Sequence, residues 1–265
     1  MSNKLTQERI DEIIKSHQKW LEGKGEGVKA DFSGVDLRGA DLGAANFRRI
    51  GTGIIDFIEA DFSGADLSGV DLERLILIKA NFRGANLQGA NLQRANLREA
   101  NLREANLKGA NLRQAYLIDT FLTKANLKGA NLEAALIIDM LANETNFQGA
   151  WLRGVDFCQS DLCGATFDGA DLTGANFQRT DLQNTSFKGC LLQGANFLDA
   201  IVTGLDFTGS SGNFVNFNLG EIFSWTEIKA FREEQKNREG EQSIEKDYKL
   251  YQTIDQSEPD IGQSD

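Results

Sequence analysis

Proline, histidine and sulfur-containing residues are scarce in this chain of 265 residues, which holds one proline (Pro259), one histidine (His17), two methionines and three cysteines. A lone histidine without partners at ligand spacing excludes the common zinc-site patterns. Three cysteines do not make a disulfide framework, so we expect free thiols. No apolar run approaches the length of a membrane span, and no signal-peptide core follows the polar, charged N-terminus. We therefore expect a cytoplasmic protein with no membrane contact.

A five-residue period runs through the chain from Ala30 to Thr208. The central residue of each pentad, at position 32 and every fifth position to 207, is Leu or Phe in 32 of 36 pentads. The residue two before the centre is small and is Ala in 22 pentads. The residue two after the centre, the corner residue, is often Gly. The residues on either side of the centre, the preceding and the following residue, are mostly polar.

A period of five fits neither a helix nor a flat strand, because in both the large residues would spread over opposite faces. All of them point inward only if the chain turns once per pentad. Four turns then close a square coil of twenty residues, and the frame predicts about nine stacked coils. The scarcity of proline agrees with this, because each coil needs its backbone N–H groups to bond the next one.

The pattern A-[DN]-[LF]-x-x, unbroken over residues 80–114, resembles the pentapeptide-repeat family of bacteria. The resemblance implies an all-β solenoid, a right-handed quadrilateral parallel β-helix. It implies little about function, since members of the family differ in their roles. Some members resemble a DNA duplex in shape and charge, and act on DNA gyrase.

Four regions follow from the frame. Residues 1–27 are predicted to form an N-terminal helical cap over the first coil, because apolar residues recur there at helical spacing: Ile10, Ile13, Ile14, His17, Trp20 and Leu21. Residues 28–209 form the β-helix. Residues 210–238 are interpreted as an irregular last coil and a C-terminal helical cap that begins after Ser224. We expect the tail, residues 239–265, to be disordered.

No arrangement of residues in the repeats predicts catalysis. Most carboxylates are the Asp directly before a central Leu or Phe, so their pairing is a product of the repeat. A uniform convex rod offers no cleft. We therefore predict a protein that is not an enzyme and binds no cofactor or metal. The asparagines at the preceding position, twenty residues apart, are predicted to stack and hydrogen-bond along a column.

One side of the predicted coil departs from the pattern. Its following residue is aliphatic at five positions separated by multiples of twenty: Ile58, Ile78, Ile118, Ile138 and Leu198. We call this the isoleucine side. Its preceding residue is also apolar at Ile76, Tyr116 and Leu136, and its corner residues include the acids Glu59, Glu99, Asp119, Asp139 and Asp199. An exposed apolar strip beside charge indicates an interaction surface, so these thirteen residues are the predicted protein-binding site.

Three interpretations of this side remain open: a protein partner or a second copy in a homodimer, cover by a terminal segment of the same chain, or no function. The alternative function is that of a DNA mimic acting on DNA gyrase or a related topoisomerase, which requires a sustained negative surface. The chain carries net −11, but residues 76–153 hold ten bases against six acids. That basic middle third favours the binding scaffold. No direct contact with nucleic acid is expected.

Overall fold

The square coil is present in the computed structural model, which describes residues 4–23, 25, 27–33, 35–38 and 57–213. Each side of the coil pairs with the next coil through one residue, the preceding residue. These parallel bridges connect residues twenty apart, from Asp61 with Asn81 to Leu191 with Ser211. Four pentads therefore make one coil, as the sequence predicted. All described residues belong to one unit, Met1–Ile222.

Each corner is a four-residue turn whose third residue has a positive φ. The turn after Phe62, for example, is closed by the N–H of Ala65, which donates to the Phe62 carbonyl at 3.1 Å. The corner residue in that turn, Gly64, has a φ of 63°. Glycine adopts this left-handed conformation without penalty, and its frequency at the corner follows from that.

The interior is filled by the central and small residues in alternation. Phenylalanines stack from coil to coil, as Phe147 does on Phe167 with ring centroids 4.8 Å apart. Where the centre shrinks to Ala142, the small position grows to Met140, and both are fully buried. The two changes compensate in volume, since a packed lumen tolerates neither a void nor an extra methylene.

The predicted amide column is also confirmed. The side-chain N–H of Asn101 donates to the Asn81 amide oxygen at 3.2 Å, and that of Asn106 donates to Asn86 at 3.1 Å. The same oxygens accept a backbone N–H two residues on, as the Asn101 oxygen does from Arg103 at 3.3 Å. An Asn at the preceding position thus stabilises both its own turn and the stack of coils.

The first coil departs from the regular stacking that the frame predicted. Asp31 pairs with Asp61, and Asp36 pairs with Asp66, so thirty residues separate them instead of twenty. Ten residues beyond a coil therefore lie between Arg38 and Phe57. An insertion of two pentads preserves the phase of five but shifts the stacking by half a coil, so the frame does not reveal it.

A second irregularity lies between the coil of Leu136 and the coil of Asp156. These two residues remain paired in register. Four backbone contacts that other coils make at equivalent positions lack hydrogen-bonding geometry here: Ala134 N to Arg153 O, Asp156 N to Ala135 O, Ile137 N to Asp156 O, and Asp139 N to Cys158 O. The irregularity coincides with the change from mainly Leu to mainly Phe centres, and Phe157 is the first Phe centre on this wall above Ile137.

The N-terminal helix, α1, spans Gln7–Leu21. Thr6 caps it by accepting the N–H of Arg9. Ile10, Ile14 and His17 are buried, whereas Ile13, Trp20 and Leu21 are only half-buried. The imidazole of His17 stacks on Phe57 with centroids 6.0 Å apart, and its Nδ1 accepts the N–H of Ala30 at 3.2 Å. The helix thus packs on the first coil. The predicted C-terminal cap, Ser224 included, and the predicted disordered tail lie outside the described residues.

Protonation of His17 is expected to loosen α1. Burial, with a contribution from the charge of Lys29, lowers the pKa of His17 from its ordinary 6.5 to about 4. A lowered pKa in the folded state means that stability is complete above pH 6.5 and is lost as the pH falls towards 4, by up to about 3 kcal/mol. Trp20, whose ring lies 5.4 Å from that of His17, reports the change by fluorescence when the other two tryptophans are replaced by Phe.

The control for this titration is His17→Leu, which keeps an apolar side chain against Phe57. Its Trp20 signal should not respond between pH 6.5 and 5, above the range in which ordinary carboxylates titrate. An unchanged response in that variant would show that another group titrates.

Candidate interaction surface

Coil stacking brings the predicted binding residues onto one wall of the rod. Successive bridges connect Ile76 through Asn96, Tyr116 and Leu136 to Asp156. The following residues, Ile58, Ile78, Ile118 and Ile138, are half-buried rather than fully exposed. Leu198 is exposed, and so are Tyr116 at 47% and Leu136 at 37%. On this wall, Tyr116 and Leu136 are therefore the two exposed apolar side chains in adjacent coils.

Tyr116 and Leu136 occupy positions where Asn or Asp normally supports the coil. The Asn oxygen that would accept the N–H of the following residue is missing, and the N–H groups of Ile118 and Ile138 have no hydrogen-bond acceptor among the described residues. The side-chain column of amides is interrupted as well. The chain thus forgoes two kinds of hydrogen bond at these positions, each worth about 1 kcal/mol, and exposes apolar groups there instead. We call Tyr116, Ile118, Leu136 and Ile138 the apolar patch.

The corner that ends the isoleucine side never uses glycine in the described coils. Its eight residues have φ between 51° and 62°; they are Glu59, Lys79, Glu99, Asp119, Asp139, Gln159, Arg179 and Asp199. The opposite side uses glycine at every described level, with φ between 63° and 72°, from Gly69 to Gly209. Since a non-glycine residue in this conformation costs about 1 kcal/mol relative to glycine, side chains are retained at the first corner against a backbone penalty.

The acidic character of that corner is weaker than the sequence predicted. Glu99 pairs with Lys79 at 3.4 Å, Asp199 with Arg179 at 3.8 Å, and Glu59 with Lys29 at 3.6 Å. Only Asp119 and Asp139 have no ion pair within the described part of the chain. These two carboxylates lie at the levels of the apolar patch, so negative charge is concentrated there instead of running along the whole side.

A shallow groove of about 520 Å³ lies along the corner at which the chain enters the isoleucine side. It is lined by Arg74, Arg94, Gln114, Tyr116, Ala134 and Leu136. The four corner residues in it have positive φ without being glycine, as on the other edge of this side. The sequence had indicated Tyr116 and Leu136 but not the arginines. The absence of glycine at that corner over the same coils is the sequence feature that could have indicated the arginines.

Apolar exposure also occurs away from the isoleucine side, which the sequence interpretation missed. Leu141 and Ile201 are exposed on one adjacent wall, and Trp151 and Leu191 on the other. All four replace Asn or Asp at the preceding position, and that substitution alone would have identified them. The opposite wall, with the column Asn86, Asn106, Asn126 and Asn146, carries none among its described residues.

The cysteines are free thiols, as predicted. Burial raises the pKa of Cys190 to about 12, and its Sγ donates to the Phe167 carbonyl. Burial, followed by the charge of Asp156, raises the pKa of Cys158, and burial followed by Asp181 raises that of Cys163. These thiols remain protonated at neutral pH and are poor nucleophiles. Within the described residues, no group of His, Cys, Asp and Glu is placed to hold a metal ion.

Two family models match the chain, both described as pentapeptide repeats. The first matches residues 28–50, 55–94, 95–133 and 143–179, and the second matches residues 164–211. No curated protein matches the sequence. The part of the chain that the structure describes contains no helix long and apolar enough to cross a lipid bilayer.

Several solved structures resemble this chain. HetL, a pentapeptide repeat protein involved in heterocyst differentiation regulation in the cyanobacterium Nostoc sp. strain PCC 7120, is 29% identical over 74% of this chain and 91% of its own, with a TM-score of 0.33. QnrB1, a plasmid-mediated fluoroquinolone resistance protein, is 21% identical over 68% of this chain and 86% of its own, with a TM-score of 0.24. A thylakoid lumen protein of Arabidopsis thaliana is 32% identical over 47% of this chain and 66% of its own, with a TM-score of 0.22.

Proposed function

Because the chain belongs to the pentapeptide-repeat family, we propose that it is a non-catalytic scaffold that binds a protein partner through its isoleucine side. The observation that carries the proposal is the apolar patch. Tyr116 and Leu136 replace hydrogen-bonding residues of the ladder and are exposed. A substitution that weakens the coil and exposes apolar surface is explained by burial of that surface against another molecule.

The edges of the patch support the same function. Asp119 and Asp139 occupy left-handed positions where glycine would be less strained, and neither has an ion pair among the described residues. Unpaired charge at the rim of an apolar centre is the usual anatomy of a protein interface. It orients the partner and increases the rate of association more than it adds affinity.

The size of the side favours a separate partner over a second copy of the rod. Three exposed residues per side at about 3.3 Å each give a width of about 10 Å, and the five levels from Ile58 to Ile138 span about 24 Å. The area of roughly 240 Å² is far below the ~800 Å² per partner that a stable rigid interface buries. A partner segment that extends onto adjacent walls, or a short peptide, fits this area better than a second flat wall.

The test uses a double variant that repairs the ladder while it removes the patch. Tyr116→Asn with Leu136→Asn should restore the amide column, so thermal stability should hold or rise, while retention of the partner from native extract on the immobilised rod falls at least about tenfold. Leu191→Asn, the same change on another wall, is the matched control. Retention of the partner by the double variant would remove the proposed function.

The alternative, mimicry of DNA towards a topoisomerase, depends on charge and not on the patch. Asp119→Asn with Asp139→Asn should then abolish any effect of the rod on gyrase supercoiling, whereas the patch variant should keep it. For a docking scaffold the ranking is the reverse, and loss of the two carboxylates mainly changes the association rate and its salt dependence. The ion pairs of Glu59, Glu99 and Asp199 favour the scaffold, because they leave little sustained negative surface.

A further inference from the structure

We propose that the groove beside the apolar patch binds a carboxylate of the partner, presented by an extended segment in which an acidic and an apolar side chain lie two residues apart on the same face. This inference rests on the proposed function and specifies the chemistry of the partner. It follows from the groove's own residues, which join two guanidinium groups to two exposed apolar side chains.

Arg94 is oriented towards this role. Its Nε donates to the Gln114 side-chain oxygen at 2.8 Å, which fixes the plane of the guanidinium. Its two terminal nitrogens have no partner among the described residues. A guanidinium fixed through Nε with its end free presents a pair of parallel N–H groups, and this geometry suits a carboxylate.

Arg74 lies one coil below Arg94 at the same corner, about 4.8 Å away along the axis. Its Nε contacts the neighbouring Glu73 at 3.3 Å, so it is only partly neutralised. Arg98 adds a third guanidinium on the isoleucine side at the level of Arg94. No carboxylate lines the groove. The groove is thus locally positive in a chain of net charge −11.

Tyr116 and Leu136 line the same groove from the isoleucine side, one and two coils above the level of Arg94. Side chains two residues apart point to the same face of an extended segment and are about 7 Å apart, and about one and a half coil spacings cover the same distance. A segment that lies along the rod axis therefore places an acidic side chain at Arg74 or Arg94 and an apolar one, two residues away, at Tyr116 or Leu136. The short distance between the two kinds of contact is the reason for assigning this two-residue spacing.

Two features favour a peptide over a single-stranded nucleic acid, which arginines and an aromatic ring can also bind. Leu136 is aliphatic and gives a base no stacking surface. Asp119 and Asp139 lie across the same wall without ion pairs, and a polyphosphate chain would be repelled by them and by the net charge of the protein. A peptide carries its few charges at separate points and avoids both carboxylates.

The experiment measures binding of short synthetic peptides with the repeat Asp-Ser-Leu-Ser, in which Asp and Leu share one face of the extended chain, by fluorescence anisotropy against the full chain. Arg74→Gln with Arg94→Gln should reduce affinity about tenfold, as expected for loss of a charge-assisted contact. The matched control is Lys108→Gln with Lys128→Gln, which removes two exposed charges one coil apart on the opposite wall. The control should stay within about twofold of the wild type, because only long-range attraction changes.

Equal losses of affinity in the two double variants would overturn the assignment, since they would show that only long-range electrostatic attraction holds the peptide. Stronger binding of peptides in which Lys replaces Asp would overturn it as well. A single-stranded polyuridine probe that outcompetes the peptides and depends on the same arginines would replace the peptide by nucleic acid. If no peptide binds while Tyr116→Asn with Leu136→Asn still abolishes partner retention, the proposed carboxylate site is refuted and the proposed function is retained.

Discussion

Leu97→Asp should unfold the middle of the rod. Leu97 is fully buried, and its neighbours in the adjacent coils, Leu77 and Leu117, are fully buried too. The substitution places a carboxylate in a lumen with no polar partner nearby, which costs several kcal/mol even if the group becomes protonated. Far-ultraviolet circular dichroism during thermal unfolding should show a melting temperature lowered by more than about 10 °C, or separate transitions of the two ends.

The comparison is Gln88→Asp, which adds the same charge at an exposed position of the glycine-cornered wall. Its free energy of unfolding should stay within about 0.5 kcal/mol of the wild type. Similar destabilisation by the two substitutions would mean that the inward and outward positions are assigned wrongly.

Removal of residues 1–27 should make the protein aggregate. The helix α1 covers the first coil through His17 and Phe57, and Lys4 pairs with Asp36 at the coil's edge. Without this segment, unpaired backbone groups and the rings of Phe32 and Phe57 face solvent. An open edge of parallel strands is a template for pairing with another chain. Light scattering and size-exclusion chromatography should detect large assemblies at concentrations where the full chain gives a single peak.

A point substitution tests whether the packing of α1 on the first coil, and not the length of the chain, prevents aggregation. Ile14→Asp places a charge on the buried face of α1, while Lys15→Asp changes the exposed residue beside it. The first should reproduce the aggregation of the truncated protein, and the second should behave as the full chain does. A soluble Ile14→Asp protein would show that α1 does not protect the coil.

The sequence specifies the coil because its packing is local. A central Leu or Phe and a small residue fill each level, and an Asn or Asp twenty residues on forms the next rung. These requirements repeat in every pentad and can be recognised from the sequence alone. The shift in stacking between Arg38 and Phe57 could not be recognised from the sequence, because two extra pentads leave the five-residue period unchanged. The pairings of Asp31 with Asp61 and of Asp36 with Asp66 reveal the shift.

The residues of the predicted site share one wall, but their exposure and charge pairing differ from what the sequence predicted. Residues twenty apart must share a wall, so the alignment of Tyr116 with Leu136 followed from the period. Exposure did not, because the side chains of the following residues lie back against the coil and leave the isoleucines half-buried. Ion pairs between corner residues, such as Lys79 with Glu99, depend on side-chain rotamers, which the repeat pattern of the sequence does not specify. The groove at Arg94 arises in the same way.

The missing backbone hydrogen bonds between the coils of Leu136 and Asp156 create a joint in the rod at this level. Bending stiffness in a stack of coils comes from the contacts between neighbours, and here one wall and its two corners lack four backbone hydrogen bonds. A lateral load is therefore concentrated at this joint, which lies at the upper end of the apolar patch. A partner that inserts a bulky group beside Leu136 meets coils joined by fewer hydrogen bonds than the regular coils below them. The curvature of the scaffold can then adjust to the molecule that it holds.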